Sequence, residues 1–234
     1  MKPTDDGIDS AARLRVLLAT LQLASPALPV GGFAYSQGLE KAIEDGLVHD
    51  AASAQRWIGD LLQLVFARWE APLFLRAHDA AAAGDAARLE QCNAELLAAR
   101  ETAELRAESL QMGASLLRLA PALRITAPMP ASANPPATFP AAFAATCAAL
   151  AIERRAALTA YLWSWLENQV LVAVKSVPLG QQAGQQLLFD MHGPLGQAVA
   201  TAETLGDDEL GSAALGLAMI AARHETQYSR LYRS

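Results

Sequence analysis

A run of large apolar side chains in the second half of the chain constrains the fold more than any other segment. The run contains Tyr161, Leu162, Trp163, Trp165, Leu166, Val170 and Leu171. Wound into a helix, these side chains cover most of the circumference, and such a helix has to be surrounded by other elements. We therefore predict a central apolar helix that ends at Val174 and begins at either Ala141 or Ile152.

The other apolar residues also follow a helical period. Residues 13–24 place Leu14, Leu17, Leu18 and Leu21 on one face, which predicts an amphipathic helix. Further helices are expected over 36–46, 181–191, 195–205 and 208–222. Another is expected to start at Asp50 or Ser53 and to be kinked or interrupted at Pro72. The residues between Gly84 and Pro121 are expected to form either one long helix or two. Because no strand-like alternation or internal repeat appears, the pattern predicts an all-α, single-domain multi-helix bundle.

The predicted domain covers residues 1–234, with three segments outside the bundle. Residues 1–12 are expected to be a flexible N-terminus. Residues 121–140 hold six prolines and a single charged residue, Arg124, which predicts a Pro-rich connector. Residues 223–234 mix arginine and tyrosine after the last apolar helix, which predicts an extended C-terminal tail.

Charge and motifs exclude several classes of function. The net charge of -6 offers no positive field for nucleic acid. Phosphate-loop, dinucleotide-binding and HExxH signatures are absent, and the histidines are too scattered to predict a metal or cofactor site. Residues 139–152 form the longest strongly apolar stretch, which is too short for a membrane span of about 20 residues. Two distant cysteines, Cys92 and Cys147, and a start without an export signal favour the cytoplasm.

Four distinctive sequence blocks are distributed along nearly the whole chain. Residues 21–40 read LQLASPALPVGGFAYSQGLE, 100–113 read RETAELRAESLQMG, 161–181 read YLWSWLENQVLVAVKSVPLGQ, and 223–234 read RHETQYSRLYRS. Together they resemble the urease accessory protein family UreF. Two departures are a Pro-rich stretch at 128–140 without a family signature and Tyr232, where the family commonly has Phe.

The resemblance implies a non-catalytic, all-α protein without a cofactor of its own. Such a protein would form a homodimer, join the accessory protein UreD (also called UreH) and recruit the GTPase UreG. The complex would then deliver nickel to apo-urease, with the metal held by the partners. Whether the chain also acts directly on the GTPase stays open.

Candidate partner-binding residues lie in the signature loop and beyond it. Phe33 and Tyr35 belong to a Pro/Gly-fixed loop that could expose aromatic anchors, or they could plug the groove between helices. Gln37 and Glu40 belong to the same block. The resemblance implies that Glu40 and Lys175 act on the GTPase; alternatively, Lys175 only complements a helix dipole.

The tail contributes Arg223, Tyr228, Arg230 and Arg233. The resemblance implies that the tail becomes ordered when UreD/UreH binds and helps to recruit the GTPase through Arg230, whereas composition alone favours a frayed end. Glu101, Glu104, Arg106 and Glu108 could form a solvated helix face or meet a partner.

Two other classes of function compete with the adaptor. An all-helical enzyme would use Ser36 or Ser176 as nucleophile with a distant histidine as base, but no supporting spacing is present. A peripheral membrane protein would need a Lys/Arg-rich polar helix face, which is also missing.

Overall fold

The computed structural model describes residues 5–126, 129, 136–211 and 215–234. Over these ranges the chain forms helices joined by short loops, with no strand, so the all-α prediction is confirmed. The α-helices are α1 (Asp5–Ala24), α2 (Leu39–Glu44), α3 (Ala51–Leu61), α4 (Ala71–Ala83), α5 (Ala86–Ala98), α6 (Ala103–Leu119), α7 (Phe139–Ala149), α8 (Arg154–Ser176), α9 (Gln181–Asp190), α10 (His192–Thr204) and α11 (Leu215–His224).

Helix α8 is the predicted central helix. It packs against α1, α2, α3, α4, α7, α9 and α10. Tyr161 stacks on Phe74 of α4 with ring centroids 5.0 Å apart and meets Phe143 of α7 edge-on at 5.5 Å. The helix begins at Arg154, because α7 is a separate element whose small residues let it pack closely against α4 and α6.

The two cysteines lie inside this bundle, Cys92 on α5 and Cys147 on α7, and neither has measurable exposure. Burial in apolar surroundings raises the pKa of both thiols. Both therefore pack as small core residues.

Several helix ends follow the sequence signals. Asp50 caps α3 by accepting a hydrogen bond of 2.7 Å from the Ser53 amide. Gly84 ends α4 with φ of 71°, and Asp85 caps α5. Residues 86–119 form two helices, since Thr102 starts α6 with a cap of its own. Helix α2 is shorter than predicted, because Gln37 and Gly38 both have positive φ and delay its start to Leu39.

Pro72 does not end the helix, although regular α-helix is interrupted just before it. A π-helix at Leu62–Glu70 joins α3 to α4, and the Ala71 amide donates to the carbonyl of Phe66, five residues back. Proline has no amide proton and collides with the carbonyl four residues earlier. The wider π-helical turn before Pro72 accommodates both effects, so the helix continues through the proline.

The Pro-rich connector is described only in part, since residues 127–128 and 130–135 lie outside the described residues. A 3-10 helix, Ala120–Leu123, follows α6. Residues 136–138 lead into α7, which begins at Phe139 with Thr138 as its cap, so the predicted 121–140 boundary includes the first turn of a helix.

Helix α1 differs from the prediction in the face that it packs. It begins at Asp5, so part of the expected flexible segment 1–12 is helical, while residues 1–4 are outside the described residues. The helix lies against α8 through Val16, Ala19 and Leu23. Leu14, Leu17, Leu18 and Leu21 are each more than half exposed. The amphipathic pattern therefore identified the helix correctly, but its leucine face is not used inside the chain.

Candidate partner-binding site

The signature loop separates its two aromatic residues. Gly31, with φ of 86°, starts a 3-10 helix at Gly32–Ala34, and Phe33 on this turn is 69% exposed. Tyr35 instead is buried: its hydroxyl donates a 2.7 Å hydrogen bond to Gln111 Oε1, and its carbonyl accepts from Asn168 Nδ2. Burial raises the pKa of Tyr35. Phe33 is thus available as an anchor, whereas Tyr35 fills the groove between helices.

Gln37 connects the loop to the bundle. Its Nε2 donates to Glu108 Oε1 over 2.6 Å, and its Oε1 accepts from the indole nitrogen of Trp165 over 2.7 Å. Because donor and acceptor are both engaged within the chain, Gln37 supports the loop from its partly buried position.

The end of the tail is packed against this loop. Glu40 accepts hydrogen bonds from the amides of Leu231 and Tyr232, over 2.7 and 3.0 Å. The Ser36 amide donates to the Ser234 carbonyl over 2.8 Å, and the Ser234 hydroxyl donates to Glu108 Oε2 over 2.6 Å. The tail is therefore already held in the single chain, which differs from the expectation that it becomes ordered only when a partner binds.

A second set of contacts joins the tail to α6. His224 is fully buried, with Nε2 3.2 Å from Glu40 Oε2 and Nδ1 2.7 Å from Glu104 Oε2. Arg230 also pairs with Glu104. Glu225 accepts hydrogen bonds from the first amides of α6. The polar face predicted on α6 thus meets the chain's own tail at Glu104 and Glu108, and only this packing reveals the role of His224.

Other tail residues point outward. Tyr228 is fully exposed, and Leu231 is largely exposed. Arg233 is exposed too, although its amide donates to the Ala34 carbonyl over 2.9 Å. Arg223 pairs with Asp45 over 3.4 Å on the surface. The tail thus combines an anchored backbone with exposed aromatic, aliphatic and cationic side chains, which is the composition of protein-binding hot spots.

Lys175 makes no hydrogen bond or ion pair with these loop and tail residues in the described part of the chain. It is exposed in the last turn of α8, and the described residues supply no carboxylate to pair with it. No hydrogen bond or ion pair of the described residues brings it together with Glu40.

A pocket beneath the signature loop has an apolar wall and a polar floor. Its lining includes Leu28, Phe33, Met112, Phe139, Arg100 and Glu108. Near the floor, Arg100 pairs with Glu70, and Tyr161 donates its hydroxyl proton to the same carboxylate. Burial raises the pKa of Tyr161 and of Glu108. The Arg100–Glu70 pair and the hydrogen bonds of Tyr161 and Glu108 join several elements here and so stiffen the base of the site.

Three features of the described residues concern the alternative functions: the surroundings of the two candidate serines, the arrangement of possible metal ligands and the length of the apolar helices. The Ser36 hydroxyl donates to the Ser234 carbonyl, and neither Ser36 nor Ser176 is hydrogen-bonded to a histidine in the described part of the chain. Within the same ranges, no three His, Cys, Asp or Glu side chains are arranged to hold a metal ion. None of the described helices is both apolar enough and long enough to cross a bilayer.

Comparison with known proteins gives one consistent family. The UreF family model matches residues 48–192. A urease accessory protein UreF from Azoarcus sp. is 51% identical over 230 residues, covering 96% of this chain and 98% of that protein. The UreF of Cupriavidus taiwanensis is 50% identical, with 94% and 99% covered. A bifunctional urease accessory protein UreEF from Bordetella bronchiseptica is 50% identical over 93% of this chain, which spans 52% of that protein.

Proposed function

Because the chain belongs to the UreF family of urease accessory proteins, we propose that it is an adaptor in urease maturation. Together with UreD/UreH it recruits the GTPase UreG and supports GTP-dependent nickel insertion into apo-urease. It works in the cytoplasm, with protein partners and without nucleic acid or membrane, and carries out no bond-making chemistry of its own.

The exposed leucine face of α1 is the observation that supports this proposal most strongly. Four leucines on one helix face are each more than half exposed. Contiguous apolar surface on a soluble protein commonly marks a protein-interaction site, because covering it removes it from water. An amphipathic helix that presents such a face fits an apolar groove on a partner. We assign this face to UreD/UreH.

The tail and the signature loop provide a second surface, on which Phe33, Tyr228, Leu231 and Arg233 are exposed. Aromatic side chains on a backbone that is already held lose little conformational freedom on binding. This surface is proposed to recruit UreG once UreD/UreH is bound, with Arg230 shaping it through its pair with Glu104.

Lys175 is proposed to act on the GTPase itself. An exposed cation without a carboxylate partner in the described residues is free to approach the phosphates of a bound nucleotide, where it would offset developing charge. The measurement is GTP turnover by UreG in the complex with wild-type chain and with Lys175→Ala. Slower turnover with an unchanged complex supports direct action, whereas equal rates leave Lys175 with its helix-dipole role.

The homodimer is proposed to form through an aromatic cluster on another side. Phe189 of α9 is largely exposed, its ring centroid lies 5.0 Å from that of His192, and His192 lies 5.7 Å from Trp163 of α8. A twofold contact would cover the same cluster on both copies, since a dimer interface of this kind is self-complementary.

Co-purification tests the adaptor proposal. The chain, UreD/UreH and UreG are expressed together and separated by size, and the three-way complex is then added to apo-urease with nickel and GTP. We expect a three-way complex and urease activity that depends on this chain. Failure to form the complex, or equal activation without the chain, would contradict the proposal.

A further inference from the structure

Glu40 is nearly buried, and both of its carboxylate oxygens are occupied by the C-terminal part of the chain. We propose that Glu40 is a positioning residue: with His224 it holds residues 231–234 against the signature loop and so shapes the partner surface without touching a partner. This inference rests on the proposed function and replaces direct action of Glu40 on the GTPase.

The carboxylate of Glu40 accepts one hydrogen bond from the tail on each of its two oxygens. Oε1 accepts from the Leu231 amide over 2.7 Å, and Oε2 accepts from the Tyr232 amide over 3.0 Å. Hydrogen bonds to an ionised acceptor are about twice as strong as those between neutral groups. A partner that contacted Glu40 would first have to break these bonds, because only 8% of the residue is exposed.

His224 extends this arrangement to α6. Its ring stands between Glu40 and Glu104, with one nitrogen facing each carboxylate. Both contacts are hydrogen bonds at the same time only when the ring carries a proton on each nitrogen. Glu104 in turn pairs with Arg230. Acidic and basic side chains therefore alternate in the order Glu40, His224, Glu104 and Arg230. Each of these side chains restrains the next.

The consequence concerns the exposed segment between the two attachment points. The tail is held at His224 and again at Leu231 and Tyr232, and Tyr228 projects fully into solvent between them. Releasing Glu40 frees one end of this segment and lets Tyr228 and Arg230 leave their places. Loss of Glu40 is thus expected to weaken partner binding through the tail.

Amide hydrogen exchange measured by NMR tests the structural part. In Glu40→Gln an amide NH2 replaces one of the two accepting oxygens and faces a donor. Exchange of the Leu231 and Tyr232 amides should become about 10- to 100-fold faster, which corresponds to losing one or two charge-assisted hydrogen bonds. Glu44→Gln is the matched control, since Glu44 lies on the same helix and pairs with Lys41 on the surface. Unchanged exchange in Glu40→Gln would overturn the proposal.

Partner binding tests the functional part. Glu40→Gln should weaken binding of the UreD/UreH and UreG pair, and Tyr228→Ala should weaken it much less in Glu40→Gln than in wild type, because a released tail no longer presents Tyr228. Fully additive losses would show that Glu40 acts independently of the tail and would overturn the proposal. If Glu40→Gln does not fold, Glu104→Gln, which acts at the more exposed end of the same arrangement, is measured in its place with the same expected outcomes. A wild-type chain that binds neither protein would contradict the proposed function, while the exchange result would still decide whether Glu40 holds the tail.

Discussion

A Cβ atom on Gly113 would lie 2.3 Å from the carbonyl oxygen of Ala137, so the backbone that leads into α7 passes directly over α6 at this glycine. No side chain fits there unless the two elements move apart. Gly113→Ala is therefore expected to lower the free energy of unfolding by about 1–3 kcal/mol, the usual cost of overpacking. Denaturant unfolding measures the change.

Gly59 provides the control for that substitution. It lies inside α3, and a Cβ atom there would meet no atom within 4 Å. Gly59→Ala should stabilise the protein by about 0.5–1 kcal/mol, because alanine loses less backbone freedom in a helix. If both substitutions changed stability equally, the close approach at Gly113 would not be the cause.

Arg100→Met should be among the most destabilising single changes. It leaves the buried Glu70 carboxylate without the guanidinium that pairs with it. Breaking a buried ion pair from one side costs about 3–5 kcal/mol. Arg155→Met removes a half-exposed partner 3.2 Å from Glu203 and should cost less than about 1 kcal/mol. Similar losses in the two variants would show that Glu70 is satisfied without Arg100.

Glu108 should make stability depend on pH in a defined direction. Because burial raises its pKa, the folded chain keeps this proton to higher pH than the unfolded chain does. Its contribution is fully present below the ordinary glutamate pKa of about 4.3 and is lost as the pH rises through the folded value. Relative to wild type, Glu108→Gln should therefore gain stability from pH 4 to pH 7, measured by denaturant unfolding at each pH. A difference that stays constant with pH would contradict this.

The exposed leucines of α1 should matter for binding and not for folding. The double variant Leu17→Gln, Leu18→Gln should change the free energy of unfolding by no more than about 0.5 kcal/mol per site. Its affinity for UreD/UreH should fall by about tenfold or more, since large apolar anchors dominate binding energy. Titration calorimetry measures the loss. Leu47→Gln, an exposed leucine outside α1, should bind normally; equal weakening would exclude a specific role for α1.

Phe189→Asp should convert the proposed dimer into a monomer, because it places a charge at the centre of an apolar contact. Light scattering coupled to size-exclusion chromatography at micromolar concentration reports the mass. Ala87→Asp adds the same charge at an exposed position of a different helix, α5, and should leave the dimer intact. Dimers in both variants would place the interface elsewhere.

The features that could be predicted from the sequence are those encoded within a few residues. The cap of α3, predicted at Asp50 or Ser53 and found at Asp50, the Gly84 stop and the apolar circumference of α8 each depend on neighbours along the chain, and the structure has all three. Phe33 and Tyr35 could not be told apart, because the 3-10 turn that exposes one and buries the other depends on what packs beneath the loop.

Long-range relationships escaped prediction for the same reason. Glu40 and Leu231 are 191 positions apart, and no pattern near either residue indicates that they meet. The leucines of α1 have the spacing of a core-facing helix. The same spacing is equally suitable for a helix that binds an external groove. Whether such a face points inward is decided by the rest of the bundle, here by the packing of Val16 and Leu23.

The sealed positions of Cys92 and Cys147 give the molecule an internal reporter. A thiol reacts as its thiolate, so a group that is both enclosed and hard to ionise resists alkylating reagents and oxidants while the bundle is closed. The rate at which an alkylating reagent labels Cys147 therefore reports how often the bundle opens around α7. Comparing the labelling rate of Cys147 in the free chain and in a complex that covers α1 or the tail then shows whether partner binding also reduces opening of the core.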